Sequence, residues 1–267
     1  FQKQEAGSGA VTPVQAVTTA LAATVGTGNI VGTSQAIAMG GYGAVFWLWM
    51  AALLGMVIKY SEVLLAIKYR ERDARGDWVG GPMYYIKNGL GRHWQFLAVL
   101  YSLFGVLTVF GTGNATQVNT IVAAIDTALT EFNVVSGSAL STLNLVVGII
   151  VAMLVAMVLL GGIKRIGSVS ERLVPFMALF YIVLSVGVVI LNIQRFPAVI
   201  EAIFAGAFNP AAFTGGVIGS LFVSMQKGVS RGIFSNEAGL GTGSIAHACA
   251  DTKKPVKQGV FGIFEVF

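Results

Sequence analysis

The sequence predicts an all-α polytopic membrane protein, on the evidence of its composition, the length of its apolar runs and the charge of the segments between them. Of the 267 residues, 55% are hydrophobic and only 11% are charged, whereas about a quarter of the residues in soluble domains are charged. Apolar runs such as Leu143–Leu160 and Leu173–Leu191 are long enough to cross a hydrocarbon core. Too few charges remain to cover a water-facing surface, which argues against a large soluble α-helical protein.

Six spans and the start of a seventh follow one another along the chain. They are predicted at Pro13–Met39, Ala44–Tyr69, Trp94–Ile125, Leu143–Leu160, Leu173–Leu191 and Gly215–Ala250, with span 7 beginning at Val260. The chain begins with Phe1 rather than Met, and its last apolar run stops at Phe267. We therefore expect residues 1–267 to be a single transmembrane domain that is truncated at both ends.

Basic residues alternate between the connecting loops and so predict the orientation of the spans. The loops after spans 2, 4 and 6 contain several Lys and Arg residues, whereas the loop after span 3 contains neither. Because Lys and Arg are concentrated in cytoplasmic loops, the three basic loops are expected to face the cytoplasm. Span 1 then runs outward and span 6 inward, which is the arrangement of an inverted repeat.

Span 1 contains the stretch ATVGTGNIVG at residues 23–32, in which three glycines, two threonines and an asparagine interrupt an apolar run. A dinucleotide-binding fingerprint needs G-x-G-x-x-G after a strand, with an acidic residue about 20 residues later. Here the third glycine is one position late and the next acidic residue is Glu62, so that interpretation fails. Two interpretations remain: close packing of helices through small residues, and a broken transmembrane helix.

A broken helix has a physical rationale in this stretch. Each glycine costs about 1 kcal/mol relative to alanine in a helix interior, and the side chains of Thr27 and Asn29 compete for backbone hydrogen bonds. Because unpaired peptide groups in hydrocarbon cost several kcal/mol each, an unwound turn persists only where something polar occupies it. An anion suits the N–H end of the outer half-helix, and a cation suits the carbonyl end of the inner half.

The inverted repeat predicts a second break five spans later. Span 6 contains a suitable stretch, SMQKGVSRG, at residues 224–232. A pair of glycine-interrupted spans in corresponding positions is typical of a secondary transporter that binds its solutes at mid-membrane. The predicted fold therefore has two discontinuous spans, 1 and 6.

Five stretches spread over nearly the whole chain occur in the order found in one family. They are TALAATVGTGNIVG, GGYGAVFWLWMAALLGM (40–56), GGPMYYI (80–86), GTGNATQVN (111–119) and RGIFSNEAGLGTGSIAHA (231–248). The chain thereby resembles the sodium (cation):alanine/glycine symporter family of the amino acid–polyamine–organocation superfamily, from which Leu48 and the pair Thr242–Gly243 depart. The resemblance implies a five-plus-five inverted-repeat transporter fold with ten core helices, of which the later ones are absent here.

In span 1 the resemblance and the physics of a broken helix indicate the same residues. The backbone amides of Thr27 and Gly28 are expected to receive a substrate carboxylate. The carbonyls of Ala22 and Val25 are expected to face a Na⁺ ion, since hard cations take oxygen ligands. Asn29 either offers its side-chain oxygen to the substrate or a second ion, or holds the unwound turn as a helix cap, and both roles are compatible.

Two further spans contribute predicted substrate contacts. Gln117 lies in an unusually polar turn of span 3 and is assigned to the substrate ammonium or carboxylate, with a hydrogen bond between spans as the alternative. Gln226 and Gly228 mark the predicted break in span 6, where Ser224 and Ser230 are weaker candidates.

Charged residues inside spans need partners. Lys59 and Glu62 share one face of span 2 and are expected to pair, or Lys59 to snorkel to the interface. Arg231 and Glu237 are interpreted as parts of a cytoplasmic gate rather than as ligands. Both histidines, His93 and His247, are placed at loop ends, where a proton relay is not expected.

The resulting hypothesis is Na⁺-coupled symport of alanine or glycine across the plasma membrane (the inner membrane of a prokaryote) by alternating access. A proton-coupled transporter of the same fold is the alternative. The expected partners are the amino acid, Na⁺ and membrane lipid, with no nucleic acid. No cluster has metal-ligand spacing and no nucleophile has His–Asp support, so an enzyme is not expected.

Overall fold

The computed structural model describes residues 11–74, 76–133, 139–208 and 219–267, most of which are helical. The helices are α1 (Pro13–Thr24), α2 (Thr33–Gly40), α3 (Gly43–Lys68), α4 (Pro82–Gly89), α5 (Gln95–Thr108), α6 (Ala115–Glu131), α7 (Ala139–Leu159), α8 (Gly162–Leu191), α9 (Phe196–Phe208), α10 (Gly219–Asn236), α11 (Thr242–Ala248) and α12 (Pro255–Val266). Short π-helical segments, Gly28–Gly32 and Val109–Gly113, precede α2 and α6. A small hairpin pairs β1 (Glu71–Arg72) with β2 (Trp78–Val79) in antiparallel orientation.

Four helical stretches of the described residues are long and apolar enough to cross a membrane. They are Gly43–Lys68, Arg92–Glu131, Ala139–Leu159 and Gly162–Leu191, and the bent pair Pro13–Thr24 and Gly28–Gly40 makes a fifth if it counts as one span. This agrees with the predicted all-α membrane protein and with predicted spans 1 to 5. The last of the four begins before the predicted Leu173, because the basic segment ahead of it continues the helix beyond its apolar part.

Span 1 is broken where the glycines predicted a break. Helix α1 begins at a capping box, in which the side chains of Thr12 and Gln15 each accept from the other's backbone N–H at 3.1 Å. It ends at Thr24, where Val25 turns to an extended backbone (φ −85°, ψ 92°). The two halves of the span are bent by 47°. The helix is therefore interrupted at the predicted position, as expected for a discontinuous first span.

The predicted position of the break in span 6 is wrong. Helix α10 is continuous from Gly219 to Asn236 and so passes unbroken through residues 224–232. The helix breaks instead between α10 and α11, where Glu237, Gly239 and Gly241 have left-handed φ angles of 51°, 91° and 77°. The predicted start of the span, at residue 215, lies outside the described residues.

The glycines of α10 serve close packing against α3 rather than unwinding. A Cβ atom on Gly228 would lie 2.3 Å from the carbonyl oxygen of Ala44, and one on Gly232 would lie 2.7 Å from Cβ of Ala51. Neither glycine leaves space for a side chain between the two helices. This corrects the interpretation of the SMQKGVSRG stretch, since it is the neighbouring helix that requires the glycines.

Helix α3 is the central element of the packing. It contacts α9, α10, α11 and α12, while α1 packs against α8, α11 and α12. The crossing of α3 and α9 is tight because Gly43 faces Gly206, where a Cβ on Gly43 would lie 2.2 Å from the Gly206 backbone. Both halves of span 6, and the second half of span 1 (α2), therefore pack against one central helix.

The loop after span 2 closes beneath the break in span 6. Arg70 donates to the carbonyl oxygens of Ala248 and Ala250 at 2.9 and 2.7 Å. At the start of α4, a Cβ on Gly241 would lie 2.2 Å from Cγ of Pro82. Gly81 has a φ of 121°, a backbone conformation that glycine tolerates. The GGPMYYI motif thus packs directly on the inner half of span 6.

Replacing Gly228 with alanine is expected to destabilise the protein by about 1–3 kcal/mol or more, because the added methyl group meets backbone and cannot be relieved by a side-chain rotation. The measurement is thermal unfolding of the purified protein in detergent. Gly187→Ala is the matched control, because a Cβ on Gly187 meets nothing within 4 Å; it should be neutral or stabilise α8 by up to about 1 kcal/mol.

If Gly228→Ala instead unfolds at the parent temperature and weakens substrate binding, the packing role is wrong and the predicted substrate role of Gly228 is favoured.

Candidate functional site

The unwound turn of span 1 is closed by Asn29. The backbone N–H of Gly26 donates to Oδ1 of Asn29 at 3.0 Å, and the backbone N–H of Asn29 donates to the carbonyl of Gly26 at 3.2 Å. These bonds satisfy peptide groups that the broken helix leaves without partners. Of the two predicted roles of Asn29, the structure supports the cap, while contact with substrate or an ion stays a prediction.

Gln117 of α6 reaches this turn from span 3. Its Oε1 accepts from the backbone N–H of Thr27 at 3.4 Å, a long and therefore weak hydrogen bond. A Cβ on Gly26 would lie 3.1 Å from Nε2 of Gln117, so the glycine permits this approach. Span 3 thus supplies an amide directly at the predicted carboxylate-binding N–H group.

The C-terminal part of α10 approaches the turn from the other side. A Cβ on Gly28 would lie 3.1 Å from Cδ1 of Phe234 and 3.5 Å from Cα of Ser235. Gly28 is buried by this contact. Spans 1, 3 and 6 therefore meet at the glycine-rich stretch.

A cleft of 210 Å³ opens beside the turn. It is lined by Thr27, Gly28, Val31, Gly32, Gln35, Thr116, Asn119, Thr120, Arg231 and Phe234. The cleft therefore combines backbone N–H groups, neutral polar side chains from α2 and α6, one cation and one aromatic ring.

The predicted site residues divide into two groups. Thr27 and Gly28 line the cleft, and Asn29 and Gln117 are hydrogen-bonded to the same turn. Gln226 and Gly228 belong to the continuous part of α10 and are not among the residues that line the cleft. The Gln226 side chain is exposed and Gly228 is packed against α3, so their substrate roles stay predictions.

The predicted Na⁺ ligands lie at the carbonyl end of α1. Ala22 belongs to the last turn of the helix and Val25 follows its end, where helix carbonyls lack amide partners within the helix. Val25 donates its own N–H to the carbonyl of Leu21 at 2.7 Å. The set fits a hard cation, because Na⁺ is bound through neutral oxygen atoms of this kind.

Arg231 lines the cleft, and its expected role in a cytoplasmic gate stays a prediction. Its Cδ is 3.8 Å from the position of a Cβ on Gly32. In the described parts of the chain, no carboxylate oxygen lies within 4.0 Å of its guanidinium nitrogens. Arg231 and Phe234 are three residues apart on one face of α10, a spacing that sequence reasoning did not use.

A cluster of polar side chains is buried below the turn. We call it the buried charge cluster; its members are Lys59, Glu62, His247, Gln258 and Glu265. Nζ of Lys59 lies 3.0 Å from Oε1 of Glu265, and both side chains are 0% exposed. Nε2 of His247 lies 3.1 Å from Oε2 of the same carboxylate, and Nδ1 of His247 lies 2.8 Å from Nε2 of Gln258. The cluster joins α3, α11 and α12.

Two predictions about these charges are wrong. Lys59 does not snorkel, and the partner in its ion pair is Glu265 rather than Glu62. His247 lies in the last turn of α11, close to the predicted loop end, and is fully buried. Glu265 was missed, although it is the one acidic residue in the apolar run that begins at Val260.

The break in span 6 is fixed from two helices. Glu62 of α3 faces the backbone amides of Gly239 and Gly241, and the hydroxyl of Tyr101 on α5 donates to the carbonyl of Leu240 at 2.8 Å. Thr242 donates to Oε2 of Glu237 at 2.7 Å. Contacts from α3 and α5 therefore hold the left-handed turn in place.

Comparison with known proteins finds one family over the whole chain. The sequence profile of the sodium:alanine symporter family matches residues 1–267. An uncharacterized transporter of Haemophilus influenzae is 48% identical over 269 residues, which cover 100% of this chain and 56% of that protein. The sodium/alanine symporter AgcS of Methanococcus maripaludis is 41% identical over 267 residues, which cover 99% of this chain and 56% of that protein.

The probable sodium/glutamine symporter GlnT of Bacillus subtilis is 38% identical over 259 residues, which cover 96% of this chain and 50% of that protein. The chain thus spans about half the length of the curated relatives it matches.

Proposed function

Because this chain belongs to the sodium:alanine symporter family, whose members are transporters rather than enzymes, we propose that it acts in secondary active transport. It binds a small neutral amino acid, alanine or glycine, together with Na⁺, and exposes the bound solutes alternately to the two sides of the plasma membrane. The observation that carries this proposal is the broken first span, with Asn29 closing the turn and Gln117 bonded to it beside the cleft.

The cleft suits a zwitterion. The N–H groups of Thr27 and Gly28 lie at the start of the outer half of span 1, where the helix dipole favours an anion, and a carboxylate there would replace Oε1 of Gln117 as acceptor. Arg231 adds a positive charge to the same cleft. The displaced amide of Gln117 and the side chain of Asn119 are then available for the ammonium group.

The cation belongs at the other side of the break. Carbonyls of Ala22 and Val25 at the end of α1 are the ligands that this part of the chain supplies, and the helix dipole there favours a positive charge. Na⁺ bound there lowers the cost of an anionic carboxylate nearby. Binding of the two solutes is therefore mutually favourable, which is the basis of their coupling.

The test is uptake of labelled alanine and glycine by the complete gene product reconstituted in proteoliposomes. An inward Na⁺ gradient should drive accumulation, and replacement of Na⁺ by choline at fixed pH should abolish it. Uptake that persists in choline and follows a pH gradient would favour the proton-coupled alternative. Unlabelled glutamine is included as a competitor because a relative is named for it; strong inhibition would contradict the proposed restriction to small side chains.

Gln117→Ala is expected to raise the KM for alanine about tenfold or more, because a hydrogen bond to a charged group contributes about 1.5–3 kcal/mol. The measurement is the concentration dependence of Na⁺-driven uptake. Gln95→Ala is the matched control, since Gln95 is exposed at the start of α5, and it should leave the KM unchanged. An unchanged KM in Gln117→Ala would remove this residue from the site.

A further inference from the structure

The buried charge cluster is unbalanced when its imidazole is neutral. Lys59 contributes one positive charge, whereas Glu62 and Glu265 contribute two negative charges when both carboxyl groups are ionised. Lys59 and Glu265 have 0% exposed side chains, and Glu62 is 8% exposed. An uncompensated charge in the interior is costly. A proton on His247, whose Nε2 lies 3.1 Å from Oε2 of Glu265, balances the cluster.

The second ring nitrogen of His247 has a partner that serves both charge states. Nδ1 lies 2.8 Å from Nε2 of Gln258, and Gln258 is 1% exposed. In this orientation the amide N–H donates to Nδ1 of a neutral imidazole. After a half-turn of the amide, its oxygen accepts from the N–H that an imidazolium carries at Nδ1. Glutamine therefore offers Nδ1 a hydrogen-bond partner in both charge states of the ring.

The elements packed against α11 bring few other charges. Helix α1 has no charged residue, and neither does strand β2. Helix α3 presents Lys59 and Glu62, and Arg70 from the following loop donates to backbone carbonyls beside the C-terminal end of α11. The groups that face His247 are therefore those of the cluster itself.

The same carboxylate is bonded to the broken span. Oε1 of Glu265 accepts from the hydroxyl of Thr24 at 2.7 Å. Thr24 is the last residue of α1, directly before the unwound turn. A movement of α1 away from α12 beyond hydrogen-bond reach breaks this bond, so the charge around Glu265 affects the movement of α1.

We propose that His247, with Glu265 and Gln258, forms a proton-binding site whose occupancy sets how firmly Glu265 holds α1. Protonation of His247 keeps the Glu265 carboxylate ionised and fixed between two cations, so that it remains a positioned acceptor for the Thr24 hydroxyl. The rate of solute transport therefore depends on pH through one site. This consequence rests on the proposed function, whereas proton binding itself does not.

The experiment compares the parent with His247→Gln and with the matched control His93→Gln, which replaces the chain's other histidine, an exposed residue. Na⁺-driven uptake is measured between about pH 5.5 and 8.5, the interval in which histidine ordinarily changes charge, with equal pH on both sides of the vesicle. The pH transition of the parent should persist in His93→Gln and be lost in His247→Gln. A transition that survives in His247→Gln overturns the proposal.

Thermal unfolding in detergent gives a readout that needs no transport. The balanced cluster is the more stable one, so the unfolding temperature of the parent should exceed that of His247→Gln most at acidic pH, and the difference should shrink as the pH rises. A difference independent of pH overturns the proton site. If this difference titrates while no Na⁺-driven uptake is found at any pH, the proposed function fails and the proton site stands.

Gln258→Glu keeps the proposal testable if His247→Gln does not fold. With Nε2 already facing Glu265, a second carboxylate beside Nδ1 is matched by N–H groups at both nitrogens only in the protonated ring. The variant also adds negative charge, so the transition should move to higher pH. An unmoved transition in this variant counts against the site.

Discussion

Lys59→Met is expected to lower the free energy of unfolding by about 3–5 kcal/mol, since removing one member of a buried ion pair leaves the other charge uncompensated. The Lys59 and Glu265 side chains are both 0% exposed and 3.0 Å apart. The length of methionine is close to that of lysine, so the effect comes from charge rather than from a cavity. Chemical or thermal unfolding of the purified protein in detergent measures it.

Two further variants identify the origin of the effect. Lys87→Met removes an exposed ion pair with Glu71, also of 3.0 Å but with side chains 47% and 36% exposed, and should cost no more than about 1 kcal/mol. Adding Glu265→Gln to Lys59→Met removes the orphaned charge and should recover part of the loss. If Lys59→Met and Lys87→Met lowered the free energy of unfolding equally, the buried ion pair would contribute no more to stability than the exposed one.

Asn29→Ala is expected to reduce Na⁺-driven uptake at least about tenfold. The substitution leaves the half-buried backbone N–H of Gly26 without its acceptor, a loss of up to about 1–3 kcal/mol. The turn that presents Thr27 and Gly28 to the cleft then relaxes toward helix or disorder. Uptake in proteoliposomes, normalised to folded protein recovered by size-exclusion chromatography, measures the effect.

Asn29→Asp separates the two predicted roles of this residue. A carboxylate retains an acceptor oxygen for the Gly26 N–H, so the turn is kept, and the unfolding temperature should stay close to that of the parent. Asn192→Ala, at an exposed asparagine that bonds only within its own helix end, is the matched control and should transport normally. Parent-like uptake in Asn29→Ala would contradict the role of the turn in binding.

The two helix breaks show where a local signal suffices and where it does not. The first break could be predicted because three glycines, two threonines and an asparagine all disfavour helix in one short stretch, and the asparagine is itself the cap. The second could not be located in the same way, because a glycine also serves where two helices touch. Gly228 lies against Ala44 in a continuous helix, whereas Gly239 and Gly241 occupy left-handed positions in the break.

The site shows the same division. Thr27, Gly28, Asn29 and Gln117 could be predicted because the polar residues of spans 1 and 3 are conspicuous in apolar surroundings. A place for Arg231 in the cleft could not be predicted, because the break was expected within residues 224–232, which include it. With α10 continuous, the helical spacing instead turns Arg231 and Phe234 together toward the first span.

The sequence by itself determined the membrane class, the predicted spans 1 to 5 and the first break, because hydrophobic length and glycine content act through neighbouring residues and through the solvent. Only the tertiary structure decided the partners of the buried charges. Lys59, His247 and Glu265 come from three separate helices, and in a medium that cannot solvate charge each must find its partner wherever packing places one. That pairing is a property of the folded bundle, and it connects the charges inside the protein to the end of the broken helix.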